Sequence, residues 1–283
     1  MYQSPSEISN DFAKSALQKA TMSPVKQFTY GVLGGAMISV GGLLAIIVAG
    51  GMPEIAASNP GVTRFFFGAV FPVGLIMIVV GGGQLFTSDC AVLPYGVLSG
   101  KVTLKGLLRV WGIIYLANFI GALLVAYFFA YQAGGVTSEP YASFLKNLAI
   151  AKTHSPFLKV FIKGIGANWL VCLAMWMSYA AKDVTGKVLA LWIPVMCFVV
   201  LGFEHSIANM FFIPAAMFSG AEITPGEFII NNLIPATLGN IFGGAIMVAA
   251  AYWYLFGNRK EDLSANGARG KHVSFKDFEK RLN

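Results

Sequence analysis

Charge is what this sequence has least of. Only 12% of its 283 residues are Asp, Glu, Lys or Arg, about half the usual share of roughly 25% for a soluble domain. Hydrophobic residues make up 56%, and the mean hydropathy is +0.67. A chain of this length cannot hide that much apolar surface in water, because its own surface demands polar cover. A soluble enzyme, a nucleic-acid binder and a disordered scaffold are excluded on this ground. Cysteine and histidine are scarce too. Cys90, Cys172 and Cys197 form an odd set with no close pair, which fits neither a disulfide framework nor a zinc site. His154, His205 and His272 lie far apart, so neither a metal nor a cofactor is expected. The first 27 residues are polar and lack the apolar core and cleavage site of a signal peptide.

What is present in quantity is apolar length. A helix crosses a bilayer with about 20 apolar residues. Six stretches qualify, at roughly residues 28–50, 64–100, 104–131, 157–181, 188–218 and 228–256. The second and fifth are too long and too interrupted for one plain helix. Fifteen of the 20 Lys and Arg residues fall on one side if the N-terminus is inside: Lys14, Lys19, Lys26, Lys101, Lys105, Arg109, Lys182, Lys187 and those from Arg259 onward. Arg64, Lys146, Lys152, Lys159 and Lys163 fall on the other. The positive-inside rule therefore puts both termini in the cytoplasm of a multi-pass inner-membrane protein, and it accounts for the net charge of +7 without any nucleic-acid partner. The expected organisation is a cytoplasmic N-terminal segment (1–27), a transmembrane pore domain (28–257) and a charged cytoplasmic tail (258–283). Within the first segment, Ser4-Pro5-Ser6-Glu7 reads as an N-cap, a proline at the first helical position and a capping-box glutamate. Ile8 and Phe12 then share a face, which predicts an interfacial amphipathic helix.

Two short matches recur at one offset. Phe71-Pro72-Val73 pairs with Ile193-Pro194-Val195, and Asn118-Phe119-Ile120-Gly121 with Asn240-Ile241-Phe242-Gly243, both 122 positions later. Two matches at the same offset indicate a duplicated unit of three spans. An odd number of spans inverts the second copy across the membrane, an arrangement typical of transporters and channels. The two interrupted spans hold corresponding places in the two units. Their breaks read Gly81-Gly82-Gly83-Gln84-Leu85-Phe86-Thr87-Ser88-Asp89 and Gly202-Phe203-Glu204-His205-Ser206-Ile207-Ala208-Asn209. Non-helical backbone at membrane depth survives only where it is buried in protein or lines a cavity.

Glu204 and His205 stand side by side in a long apolar field, where ionisable groups are expensive and usually functional. Histidine changes charge most easily near neutral pH, which suits a proton relay. Thr87 adds a hydroxyl and Asn168 an amide at comparable depth, each equally explicable as a helix–helix hydrogen bond. Lys152, in a connection, is by itself an ordinary solvated lysine.

The segments Val79 to Ser88, Gly164 to Ala174 and Gly202 to Met210 together resemble the signatures of the formate/nitrite transporter family, in the right order and across nearly all of the membrane part. Gln84 departs from the pattern, since the family usually has Asp, Glu or Ser there. The resemblance implies an all-α, aquaporin-like fold of six transmembrane helices in two inverted repeats, with the second and fifth broken, and a homopentamer with a pore in each protomer. It implies that His205 is the pore histidine, Thr87 its hydroxyl partner and Asn168 its amide neighbour. Phe71, Leu75, Leu85, Val171 and Phe198 correspond to apolar constrictions, and Lys152 to a vestibule lysine with Glu204 and Asn209 as companions. The segments around His205 and around Asn232 to Asn240 look most like formate-transporting members, with nitrite and hydrosulfide as the alternatives.

The expected function is movement of a small monovalent anion across the bilayer, with protons as a second partner. A bare anion loses its hydration in an apolar slit, and protonation would neutralise it first. An intramembrane enzyme is not expected: Ser206 beside His205 is a poor nucleophile–base pair, and no Gly-x-Ser-x-Gly elbow occurs. The paired Asn-Pro-Ala loops of a water or glycerol channel are absent.

Overall fold

The structure is a computed structural model and describes residues 2–257; Met1 and residues 258–283, which include the expected tail, lie outside the described residues. Among the described residues every regular element is helical. Helix α1 (Pro5–Thr21) precedes α2 (Pro24–Gly50). A short α3 (Pro53–Ser58) leads into α4 (Pro60–Val70) and α5 (Val73–Gly81), bent against each other at Pro72, and α6 (Phe86–Leu98) follows the break. Next, α7 (Leu104–Leu124) runs on into a wider, π-type stretch (Val125–Gln132). After α8 (Tyr141–Thr153) come α9 (Phe157–Ala180), α10 (Val184–Val200) and α11 (Ser206–Phe218). The last span joins a π-type turn (Glu227–Leu233), α12 (Ile234–Gly244), a second π-type turn (Ala245–Ala250) and α13 (Ala251–Phe256).

Five helical stretches are long and apolar enough to cross a bilayer: Pro24–Gly50, Pro60–Gly81, Leu104–Gln132, Phe157–Ala180 and Glu227–Phe256. The remaining expected span consists of α10 and α11, each too short alone. The second and fifth spans are broken, as expected. The breaks are tighter than the sequence motifs suggested, because α6 resumes at Phe86 and α11 at Ser206.

Both breaks are opened by the same device. Gly82 (φ 91°) and Gly202 (φ 68°) adopt the left-handed conformation that only glycine enters without strain. The next residue then reaches back to close the helix end, Gly83 N–H to the Ile78 carbonyl (2.8 Å) and Phe203 N–H to the Phe198 carbonyl (3.1 Å). The packing repeats as well. In the first unit α2 lies against α7, and a Cβ on Gly121 would stand 2.1 Å from the Val32 carbonyl. In the second α9 lies against α12, and a Cβ on Gly243 would stand 2.4 Å from the Ile165 carbonyl. Backbones approach this closely because glycine permits it, and in lipid such contact replaces the missing hydrophobic drive.

Helix α1 begins as its sequence dictates. The Ser4 N–H and Oγ both donate to Glu7 Oε2, each at 2.7 Å. Its apolar stripe is turned to protein: Ile8, Phe12 and Ala16 are buried, with Phe12 wedged among Tyr95, Trp176 and Tyr179. Ser9 Oγ lies 2.5 Å from the Tyr95 hydroxyl and donates to the Phe256 carbonyl at 3.3 Å.

Candidate functional site

The two breaks bring the N-termini of α6 and α11 into the interior, where each is held by one asparagine from the following span. Asn118 on α7 donates to the carbonyls of Gly31 (2.7 Å) and Gln84 (2.9 Å) and accepts the Phe86 N–H (2.9 Å). Asn240 on α12 donates to the carbonyls of Gly164 (2.9 Å) and Glu204 (2.9 Å) and accepts the Ser206 N–H (2.8 Å). Each amide thus closes a half-helix and ties the break to the first helix of its unit. Buried backbone in an apolar layer has no water to turn to, so these bonds are what make the breaks tolerable.

Between the half-helices sit His205 and Thr87. His205 Nε2 lies 2.9 Å from Thr87 Oγ1. Its Nδ1 accepts the Ala208 N–H (3.1 Å), so the proton of the neutral ring is on Nε2 and is donated to Thr87. The threonine hydroxyl keeps its own hydrogen to offer elsewhere. The His205 ring stacks on Phe198, with centroids 5.7 Å apart and planes within 17°. Asn168 reaches this centre through the backbone. Its Nδ2 donates to the backbone carbonyls of Thr87 (3.0 Å) and Asn240 (2.7 Å), so it braces one repeat against the other.

On one side of His205 opens a cavity of about 370 Å³, lined by Phe71, Phe198, His205, Glu204, Asn209, Lys152, Lys163, Arg64 and others. Lys152, near the end of α8, pairs with Glu204 Oε2 at 2.9 Å and lies 5.9 Å from the centre of the Phe212 ring. Asn209 donates to the same carboxylate oxygen (2.7 Å) and to Asn232 Oδ1 (2.7 Å). On the other side, Ile38, Leu75, Leu85, Val171 and Val195 join Phe71, Phe198 and His205 around an apolar pocket that admits no water-sized sphere. All five constriction residues inferred from resemblance therefore lie around one closed pocket. Ile38 and Val195 complete it, and their apolar neighbours in sequence hide them.

Where α6 begins lies a second ionic group, one that the sequence reading does not single out. Gln84 Nε2 donates to Asp89 Oδ2 (2.6 Å), and Lys19 from α1 pairs with Asp89 Oδ1 (2.5 Å). Burial alone would lower the Lys19 pKa; the Asp89 carboxylate beside it, together with Tyr179 and Cys172, outweighs this, so the pKa is raised. The carboxylate that Gln84 itself lacks is thus supplied five residues later. A signal existed in the sequence, since Gln84 and Asp89 stand 120 positions before Glu204 and Asn209, with acid and amide exchanged.

The sequence profile described as formate/nitrite transporter matches residues 6–254. A protein of Methanothermobacter thermautotrophicus named "Probable formate transporter" is 40% identical over 270 residues, covering 90% of this chain and 97% of the relative. Two solved structures superpose closely. One, titled "FNT family ion channel", has a TM-score of 0.81 and 29% identity over 88% of this chain and 98% of that one. The other, titled "Pentameric formate channel with formate bound", has a TM-score of 0.72 and 33% identity over 83% of this chain and 98% of that one.

Proposed function

This chain belongs to the formate/nitrite transporter family, and from that premise we propose that it moves formate across the membrane, together with a proton, through a pore in each protomer of a homopentamer. Both termini face the cytoplasm of the inner membrane, with residues 1–27 as a segment outside the pore domain of residues 28–257. The observation that carries the reading is the place of the His205–Thr87 pair, where a cation-lined cavity gives way to a closed apolar pocket. The similarity to proteins named for formate supports the choice of substrate.

The chemistry follows from desolvation. A bare carboxylate entering the apolar pocket would lose its hydration at a cost of several kcal/mol even after relaxation. A proton taken from the imidazolium form of His205, directly or across Thr87, converts formate into neutral formic acid, which crosses Leu75, Leu85 and Val171 at far lower cost. The ring seen here, with Nδ1 accepting the Ala208 N–H and its proton on Nε2, is the neutral form before charging. Charging it places a proton on Nδ1 and frees the Ala208 N–H; release of the Nε2 proton towards Thr87 and formate then leaves the other neutral tautomer, with the proton on Nδ1. Asn168 acts through position, by fixing the Thr87 backbone. Lys152, Glu204 and Asn209 form the entrance network.

Uptake into proteoliposomes, with formate, nitrite and hydrosulfide compared side by side and internal pH recorded by stopped flow, tests the reading. Formate is expected to move fastest and to acidify the lumen in step with its uptake. A faster flux of nitrite or hydrosulfide would transfer the assignment to that anion. Wild-type coupling in His205→Asn, which hydrogen-bonds but exchanges no proton near neutral pH, would remove the relay.

A further inference from the structure

The cavity beside His205 contains more positive charge than its network explains. Lys152 is already matched by Glu204 at 2.9 Å. Arg64 on α4 and Lys163 on α9 line the same cavity, and neither takes part in an ion pair among the described residues. Lys163 faces the charges of Glu204, Lys152, Lys159 and Arg64. Beside Arg64, Thr63 also lines the cavity; it is 5% exposed, and its Oγ1 has no hydrogen-bond partner. A buried hydroxyl without a partner, in the wall of a cavity that also holds two cations outside any ion pair, describes a place for an anion with oxygen acceptors.

We propose that Thr63, Arg64 and Lys163 form an anion-binding subsite in the cavity, separate from the Lys152–Glu204 network, where a small oxyanion is held before it reaches His205. The inference rests on the transport reading above. It reassigns the work of capture. An anion at Lys152 must share that ammonium with a carboxylate in direct contact, whereas Lys163 and Arg64 are in no ion pair among the described residues, although Lys163 also feels the Glu204 charge. The two cations come from different repeats, α4 from the first and α9 from the second, so the subsite bridges the units at the cavity wall. Lys163 also anchors the break itself, since its carbonyl accepts the Glu204 N–H at 3.3 Å. Its side chain therefore has a fixed root close to the entrance network.

Formate uptake by proteoliposomes over a concentration series, at low and at raised salt, tests the subsite. For Arg64→Gln/Lys163→Gln the half-saturating concentration is expected to rise about tenfold at low salt, with maximal flux within about twofold of wild type, and the salt dependence should flatten. Arg64→Lys/Lys163→Arg preserves the charges and should return most of the effect. Thr63→Val should raise half-saturation by about twofold without altering the salt dependence. Unchanged half-saturation in the double Gln variant overturns the proposal, as does a loss confined to maximal flux. A transport-independent arm uses crystals soaked in bromide. An anomalous peak among Thr63, Arg64 and Lys163 that vanishes in the double Gln variant supports the subsite, and a peak confined to Lys152 overturns it. If wild-type protein carries no formate while the bromide peak stands, the transport reading falls and the subsite remains.

Discussion

At the first break a glutamine, Gln84, reaches an aspartate five residues on; at the second an asparagine reaches back five residues to a glutamate, Glu204. Each carboxylate then takes a lysine from outside the repeat core, Lys19 from α1 and Lys152 from α8. Glycine opens both breaks, and asparagine closes both. What differs is what faces the axis. Leu85 precedes the first half-helix and His205 the second. One lysine reaches in from α1, and the other lines the cavity beside His205. The scaffold of the duplicated unit has thus stayed the same at both ends, while the groups offered to a permeant have diverged. Backbone satisfaction in lipid allows few solutions, whereas the lining is free to specialise.

The equivalence of the two asparagines is open to the strongest test. Asn118→Ala and Asn240→Ala each strand a loop carbonyl and a half-helix N–H in the interior, and each should cost about 3 kcal/mol of stability. Thermal unfolding in detergent should show losses of similar size, and a large loss in only one would break the equivalence. The divergence of the lining should appear in flux. His205→Asn is expected to lower proton-linked formate uptake at least about 100-fold, whereas the equivalent-position change Leu85→Met should alter it by less than about threefold. A comparable loss in both would mean that the ring acts by filling space.

The exchanged acid and amide offer a finer test. Asp89→Asn leaves Lys19 without its counter-charge and should cost about 2 kcal/mol, less than a fully enclosed pair because the lysine can swing towards water. Adding Gln84→Glu recreates the arrangement of the other end and should recover most of that loss, as read by unfolding and by protease release of α1. No recovery would mean that the two ends are not interchangeable. The smallest effect concerns pH. A raised Lys19 pKa contributes stability that is fully present below about pH 10.5 and is lost only as pH rises through the raised value. Docking of α1, followed by protease susceptibility, should therefore stay flat from about pH 6 to about pH 9 with respect to this lysine. A loss of docking in that window that Lys19→Met abolishes would contradict the ion pair.

Much of this architecture was legible in residue order. Long apolar runs mark spans because a bilayer demands length, and the 122-position offset exposed the duplication through Pro72 and Asn118. The breaks were read too wide, because polar and glycine residues continue past the point where Asn118 and Asn240 restart a helix. Those asparagines were visible as a repeated match, yet their task depends on carbonyls from distant segments, which no local pattern reveals. Thr87 and His205 stood out by polarity, but their 2.9 Å contact joins positions 118 apart. Lys152 entered only through family resemblance, since a lysine in a connection carries no mark of the cavity behind it. Asp89, Lys163 and Arg64 stand on α6, α9 and α4, and what each of them meets depends on segments distant in the chain.

The seat of α1 also sets an order of construction. Its partners are Tyr95 in the first repeat, Trp176 and Tyr179 on α9, and Phe256 at the very end of the described chain. Synthesis at about 5–20 residues per second leaves a wait of tens of seconds between the first helix and its last contact. The segment made first is therefore the one fitted last. Until the final span is in place, Ser9 lacks the Phe256 carbonyl, although the ring partners of Phe12 and the carboxylate partner of Lys19 are already made.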